Sequence, residues 1–230
     1  MIAENIAAIR RRIDDACARA GRPSEQVRIV AAAKGQADER IREALEAGIR
    51  IFGHNYVQEA ARHEAIGKGL DAELHMIGHL QKNKAGRAVD LFHVLETVDN
   101  RELVIALDRR ARAAGKIVRV MIQVNLAGEA QKSGIAREAA AELARAIRDL
   151  PNLRLEGLMT MPPFFDDPAR ARPYFAQLRA LRDEYIAAGI LDPEMNELSM
   201  GMTGDFEVAV EEGATLVRIG TALFGPRPAT

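Results

Sequence analysis

Val27-Arg28-Ile29-Val30-Ala31-Ala32-Ala33-Lys34-Gly35 is a short, almost unbroken apolar run that ends on a lysine and a turn residue. Such a run reads as a strand buried on both faces, the condition of strands in a parallel sheet. The lysine then leaves the strand where the chain turns. A doubly wound open sheet would place a glycine-rich turn after its first strand. Here the turn reads Lys34-Gly35-Gln36-Ala37 and contains no G-x-G-x-x-G.

Outward from this strand, the chain alternates. A helix precedes it over 2–20, with Ile6, Ile9, Ile13 and Cys17 at three- and four-residue steps and a stop at Gly21-Arg22-Pro23. After the first strand, 27–33, come a helix at 38–47, a strand at 49–52 and a helix at 56–66. A strand at 74–77, a helix at 82–89, a strand at 91–95 and a helix at 101–114 follow. The pattern continues with a strand at 117–124, a helix at 137–150, a strand at 153–159 and a helix at 168–188. It closes with a strand at 197–200, a helix at 206–212, a strand at 216–219 and a terminal turn. Eight strand–helix units in one domain, residues 1–230, predict an α/β fold, a single (β/α)8 TIM barrel with an extra N-terminal helix.

Barrels of this kind carry their chemistry at the C-terminal ends of the strands, and phosphate often binds after the last two. Lys34, Asn55, Gly78 and His79, Asn125, Met161, Gly201 and Gly220 all follow strands, so the polar and glycine punctuation gathers on one rim. Closing the barrel sets the eighth strand beside the first and brings Gly220-Thr221 next to Lys34. Ser199-Met200-Gly201-Met202-Thr203-Gly204 and Arg218-Ile219-Gly220-Thr221 are small, donor-rich segments. Their glycines let backbone N–H groups approach an anion, and Ser199 and Thr221 add hydroxyls. A lysine condenses with a carbonyl as its free amine, which desolvation or a neighbouring cation favours. A strand-end lysine beside a phosphate cradle predicts a cofactor that is both an aldehyde and a phosphate ester, and pyridoxal 5'-phosphate (PLP) is that molecule. An inward Arg218 would face its ring nitrogen.

Composition narrows the alternatives. With 32 basic and 33 acidic residues the formal net charge is −1, which offers no field for gripping nucleic acid. No apolar stretch reaches the roughly 20 residues of a membrane span, and the N-terminus lacks a signal peptide's apolar block. The one cysteine, Cys17, excludes an internal disulfide and fits a cytoplasmic protein. The histidines His54, His63, His75, His79 and His93 form no metal-binding motif, so no metal is expected.

Several strings, in order, resemble one family across almost the whole chain. They are Phe52-Gly53-His54-Asn55-Tyr56-Val57-Gln58-Glu59, Ile77-Gly78-His79-Leu80-Gln81-Lys82-Asn83-Lys84, Lys132-Ser133-Gly134, Ser199-Met200-Gly201-Met202 and Arg218-Ile219-Gly220-Thr221-Ala222-Leu223-Phe224-Gly225. They look like the PLP homeostasis proteins (YggS/PROSC, or PLPBP). The resemblance implies a barrel like the N-terminal domain of alanine racemase, with PLP bound as an imine on Lys34. It implies phosphate against Ser199, Gly220 and Thr221 with Met200 and Gly201 nearby, the ring nitrogen near Arg218, and Asn55 and His75 around the ring. Two departures stand out. The family usually has Glu where this chain has His54, and a K-x-K-P string where it reads Lys34-Gly35-Gln36-Ala37.

The resemblance also implies a carrier or regulator of PLP supply, with apo PLP-dependent enzymes as recipients, rather than a catalyst. The alternative is a low-activity racemase. Racemization needs acid–base groups on both faces of the substrate carbon. The related racemases take the second, a tyrosine, from a further domain, and the 230-residue chain is expected to lack it. Arg218 at the ring nitrogen would also leave the ring a weak electron sink. The expectation is therefore a PLP-binding protein with no catalytic residues, monomeric or weakly dimeric.

Overall fold

In the computed structural model, which describes residues 1–67, 72–129 and 133–226, the apolar runs pair edge to edge until the sheet meets itself. The elements are α1 (Ile2–Ala20), β1 (Arg28–Ala32), α2 (Asp38–Glu46), β2 (Ile51–His54), α3 (Val57–Gly67), β3 (Glu73–Met76), α4 (Ala85–Leu91), β4 (Val94–Val98), α5 (Arg101–Ala114), β5 (Val118–Asn125), α6 (Arg137–Arg148), β6 (Leu153–Met159), α7 (Arg172–Ala187), β7 (Glu197–Met202), α8 (Phe206–Glu211), β8 (Leu216–Ile219) and α9 (Thr221–Phe224). Successive strands pair in parallel, β1 also pairs with β8, and β4 with β5, so the ring closes. This is the (β/α)8 barrel. A two-residue strand, Ile135–Ala136, adds to the end of β5.

Alternation along each strand separates two apolar groups. The larger lies between sheet and helices and includes Ile29, Ala31, Phe52, Leu74 and Leu95. The smaller, Val30, Ile51, Ile77, Val94, Met121 and Leu216, belongs to the alternate positions that face the barrel axis. Polar groups flank it. At the N-terminal end of the strands, Arg28 pairs with Glu197 at 2.5 Å and Arg119 with Glu73 at 2.8 Å.

The N-terminal helix packs its Ile2, Ile6, Ile9, Ile13 and Cys17 face into the core. Its polar side reaches the end of the chain. Arg12 donates from Nε and Nη2 to the two carboxylate oxygens of Glu207, each at 2.9 Å, and Asn5 donates to the Leu223 carbonyl at 2.9 Å. Cys17 is buried. No helix among the described residues is long and apolar enough to cross a membrane.

Several boundaries differ from the sequence reading, most of them by one or two residues. The second strand is 51–54 rather than 49–52, so His54 lies within it. The fourth is 94–98 rather than 91–95, because Glu96 and Thr97 are buried strand residues. The seventh runs to Met202 because Gly201, at φ 87, lets the strand bulge rather than stop. The region read as one helix at 82–89 is a 3-10 turn, Lys82–Lys84, followed by α4.

Candidate functional site

A cavity of about 640 Å³ opens at the C-terminal rim of the barrel. Lys34, Asn55, Gln123, Arg218, Gly220 and Thr221 line it, together with Thr203-Gly204-Asp205 after β7 and the Met161–Phe165 loop after β6. Lys34 is half-buried in the turn after β1, its Nζ 5.4 Å from the centre of the Tyr56 ring. The register Val30↔Arg218 and Ala31↔Ile219 carries Gly220 alongside Ala32, where a Cβ on Gly220 would lie 3.5 Å from the Ala32 Cβ. Lys34 and the last turn are therefore neighbours, as ring closure predicts. Asn55 is seated by Gly78: a Cβ there would come within 2.4 Å of the Asn55 carbonyl oxygen, closer than any side chain tolerates.

Arg218 is the buried cation of this cavity, at 4% exposure. Its Nη1 donates to Ser199 Oγ at 2.6 Å and its Nη2 to the Thr160 carbonyl at 2.8 Å. Ser199 Oγ in turn donates to Glu96 Oε2 at 2.5 Å. The other oxygen of Glu96 faces His75 Nδ1 at 2.6 Å, and His75 Nε2 faces Glu73 at 3.1 Å. A continuous polar chain thus descends from the cavity through the barrel axis: Arg218, Ser199, Glu96, His75, Glu73, Arg119.

The chain sets the charge of its members. Burial pushes the Glu96 carboxyl up, but His75, Arg218 and Ser199 together hold it below the ordinary range. Burial works against a charged His75, yet its bonds to Glu73 and Glu96 raise it above the ordinary histidine value. The His75 hydrogen bond, opposed by burial and reinforced by Arg119, holds Glu73 down at about 2. Burial weakens the hold of Arg218 on its proton, with Glu96 and Asp205 opposing. Charged groups packed this way must satisfy one another, and these do.

Among the residues expected at the site, Lys34, Asn55, Arg218, Gly220 and Thr221 meet at the cavity. His75 and Ser199 lie fully buried in the polar chain beneath it, and Met200 joins the core. Gly201 takes the bulge of β7, where a Cβ would come within 2.5 Å of the Ala209 Cβ. Lys132 falls outside the described residues. Thr203, part of the segment expected to hold phosphate, also lines the cavity. Sequence reasoning missed Glu96, Gln123, Thr160 and Asp205. Their signal was a polar residue inside, or just beyond, a strand that is otherwise apolar. His54 faces away from the cavity: it is fully buried, its ring 5.1 Å from that of His63 and 6.5 Å from Phe92. No group of three or more His, Cys, Asp or Glu side chains suited to a metal ion occurs among the described residues.

The alanine racemase N-terminal domain family matches residues 5–228. The pyridoxal phosphate homeostasis protein of Aquifex aeolicus is 42% identical over 229 residues, covering 97% of each chain. The structure of PipY of Synechococcus elongatus with PLP bound is 35% identical, with a TM-score of 0.81 over 98% of this chain and all of that one. An alanine racemase of Clostridium difficile shares the fold at 14% identity, with a TM-score of 0.74 over 99% of this chain and 57% of its own. On sequence and fold together, the chain belongs to the pyridoxal phosphate homeostasis proteins, built on the alanine racemase N-terminal domain.

Proposed function

We propose that this protein binds PLP in the rim cavity, holds it as a Schiff base on Lys34, and carries or buffers it inside the cell for apo PLP-dependent enzymes. The reading is carried by one observation: Lys34, the buried Arg218 and the Gly220-Thr221 turn open onto the same cavity. The donor set suits the ligand. Lys34 offers the amine for the aldehyde, Thr203, Gly204, Gly220 and Thr221 offer hydroxyl and backbone donors for the phosphate, and Arg218 offers a cation for the ring nitrogen. Ser199 serves by fixing Arg218, since its hydroxyl is committed to Arg218 and Glu96. His75 acts one step further down. Bound PLP supplies an electrophilic aldehyde and an electron-withdrawing ring; the protein's part is to bind, orient and shield it. A guanidinium at the ring nitrogen discourages protonation there, which weakens the ring as an electron sink. That favours holding the cofactor over using it.

The relatives named for homeostasis support this over a racemase. The racemase reading draws on Tyr56, whose ring lies near Lys34 but is 53% exposed. The deciding experiment loads the purified protein with PLP, reduces it with borohydride and maps the labelled peptide. Label on Lys34, together with faster delivery of PLP to an apo-enzyme than from free PLP, supports the carrier. Equal delivery rates with rapid loss of α-deuterium from an amino acid would favour the racemase. No label on Lys34 sinks both.

A further inference from the structure

PLP held in the rim cavity, the reading on which this inference rests, has to leave through the mouth that the strand ends enclose. Seven large apolar side chains are exposed among the described residues, and four of them stand around that mouth: Met161, Phe164 and Met202 on its lining, and Tyr56 beside Lys34. The others, Met1, Ile105 and Ile117, sit singly at the N-terminus, on α5 and before β5. Single apolar residues are ordinary on a surface, whereas a cluster of them marks a place where another molecule sits.

Phe164 is 86% exposed, and its neighbours hold it there. Pro162 and Pro163 restrict the backbone before it. Phe165 after it is stacked on Tyr174 at 6.0 Å and lies under the Arg170 guanidinium at 4.8 Å. Asp167 accepts from the Ala169 N–H at 3.0 Å and caps the next turn. A frame this stiff presents the ring outward and does not fold it back over the cavity.

Across the mouth the surface is basic. In a ring of eight strands, β2 and β3 stand opposite β6 and β7. Lys82 and Lys84, in the turn after β3, are exposed, and neither ammonium has a hydrogen bond or ion pair among the described residues. A surface that covers the mouth must therefore be apolar over Phe164 and Met202 and acidic over the two lysines. An anionic bilayer would meet the lysines but also Asp166 and Asp167, exposed beside Phe164, which repel it. A folded protein can match both signs at once.

We propose that this rim is the docking surface for the enzyme that receives PLP: an apo PLP-dependent enzyme with an apolar active-site entrance and acidic side chains at its edge. Docked mouth to mouth, the two proteins pass the cofactor without releasing it to bulk water. The C=N bond to Lys34 is replaced by one to the acceptor's lysine, and the two protons that the incoming amine gives up pass to the nitrogen of Lys34.

The test follows PLP from the loaded full-length protein to an apo-aminotransferase, with alkaline phosphatase present to destroy free PLP. For the unaltered protein the transfer rate is expected to rise with acceptor concentration. Phe164→Ser is expected to slow transfer about tenfold, as loss of an interface anchor does. Lys82→Glu combined with Lys84→Glu is expected to slow it about tenfold through slower encounter, with loss to buffer and reloading from buffer unchanged. A rate independent of acceptor concentration, or unchanged in both variants, overturns the inference. So does faster loss to buffer from Phe164→Ser with transfer intact, which would make the loop a lid. Reloading of the double lysine variant that slows in step with transfer overturns it too, since the lysines would then steer free PLP. Light scattering that shows a dimer dissolved by Phe164→Ser would give the surface to a second copy. Binding to phosphatidylserine vesicles that either variant abolishes would give it to a membrane. Either result overturns the inference and leaves the proposed function standing. Failure of the unaltered protein to form any borohydride-stable adduct overturns the proposed function itself.

Discussion

His75 Nδ1 stands 2.6 Å from Glu96 Oε1 in the middle of the barrel, with both side chains sealed from solvent. This ion pair has no access to water and is completed only by its further bonds to Glu73 and Ser199. Removing one partner leaves the other charged and uncompensated, which costs about 3–5 kcal/mol in buried pairs. Glu96→Leu is therefore expected to lower unfolding free energy by about that much. Urea denaturation reads it as a shift of midpoint at constant slope. A loss under about 1 kcal/mol would mean that the chain contributes little to holding the barrel.

Lys34 makes no hydrogen bond or ion pair among the described residues beyond the Tyr56 ring contact. Lys34→Ala is expected to leave stability within about 0.5 kcal/mol of the parent, as solvent-reaching substitutions usually do. The same change is expected to abolish the borohydride-stable PLP adduct. Absorbance and mass of the reduced protein check the second outcome, and thermal unfolding of the unloaded protein checks the first.

His54 gives a pH signature. Burial, with His63 and Arg62 adding to it, drives its pKa from 6.5 down to about 3. Between those values the unfolded chain takes up a proton that the folded protein refuses. Stability is thus intact above about pH 6.5 and falls toward pH 3, at up to about 1.4 kcal/mol per pH unit from this group. Among the described residues, both ring nitrogens also lack hydrogen-bond partners. His54→Leu is expected to flatten the pH slope and to stabilise at neutral pH by about 1–3 kcal/mol, the cost of the unmatched donor. Denaturation midpoints across acidic and neutral pH distinguish this from a wild-type slope that survives the change.

Asp205 puts a carboxylate on the cavity wall beside Gly204, where the phosphate is proposed to sit. Its Oδ1 accepts from the Met202 backbone N–H at 2.7 Å, a bond an asparagine retains. Burial raises its pKa, with the Met202 bond and Arg218 opposing. Asp205→Asn removes a like charge without removing that bond, and PLP is expected to bind about fivefold tighter, with slower release. Fluorescence titration measures it; weaker binding would place the phosphate elsewhere.

Gly78→Ala tests the seat of Asn55. The added Cβ would meet backbone atoms of Asn55 at 2.4–2.9 Å, so the strand ends must part. A loss of about 1–3 kcal/mol in stability is expected, together with weaker PLP loading. Normal loading at reduced stability would show that Asn55 does not matter to the ligand.

The barrel was legible because its evidence is redundant: each apolar run, each helix period and each glycine stop points to the same alternation. Lys34 and Gly220 were legible as neighbours because ring closure is a topological necessity once eight strands are counted. Glu96 was not, and the fourth strand slipped by three residues with it. A carboxylate inside Val94-Leu95-Glu96-Thr97-Val98 reads as a strand's end when nothing local can neutralise it. Its partners His75 and Ser199 lie 21 and 103 residues away. Gln123 was hidden for the same reason in reverse, since it sits inside a run read as continuous apolar strand. Ser199 was read as facing the rim, whereas its hydroxyl points into the axis.

The bond from Asn5 to Leu223 spans 218 positions of sequence, and Arg12 grips Glu207 across 195. During synthesis the first helix emerges from the ribosome long before its partners do. Its isoleucine face can be covered in full only after the segment from Phe206 to Phe224 has been made, since α8 and α9 pack on it as α2 does. Loss of the segment around Leu223 would therefore loosen the first helix as well.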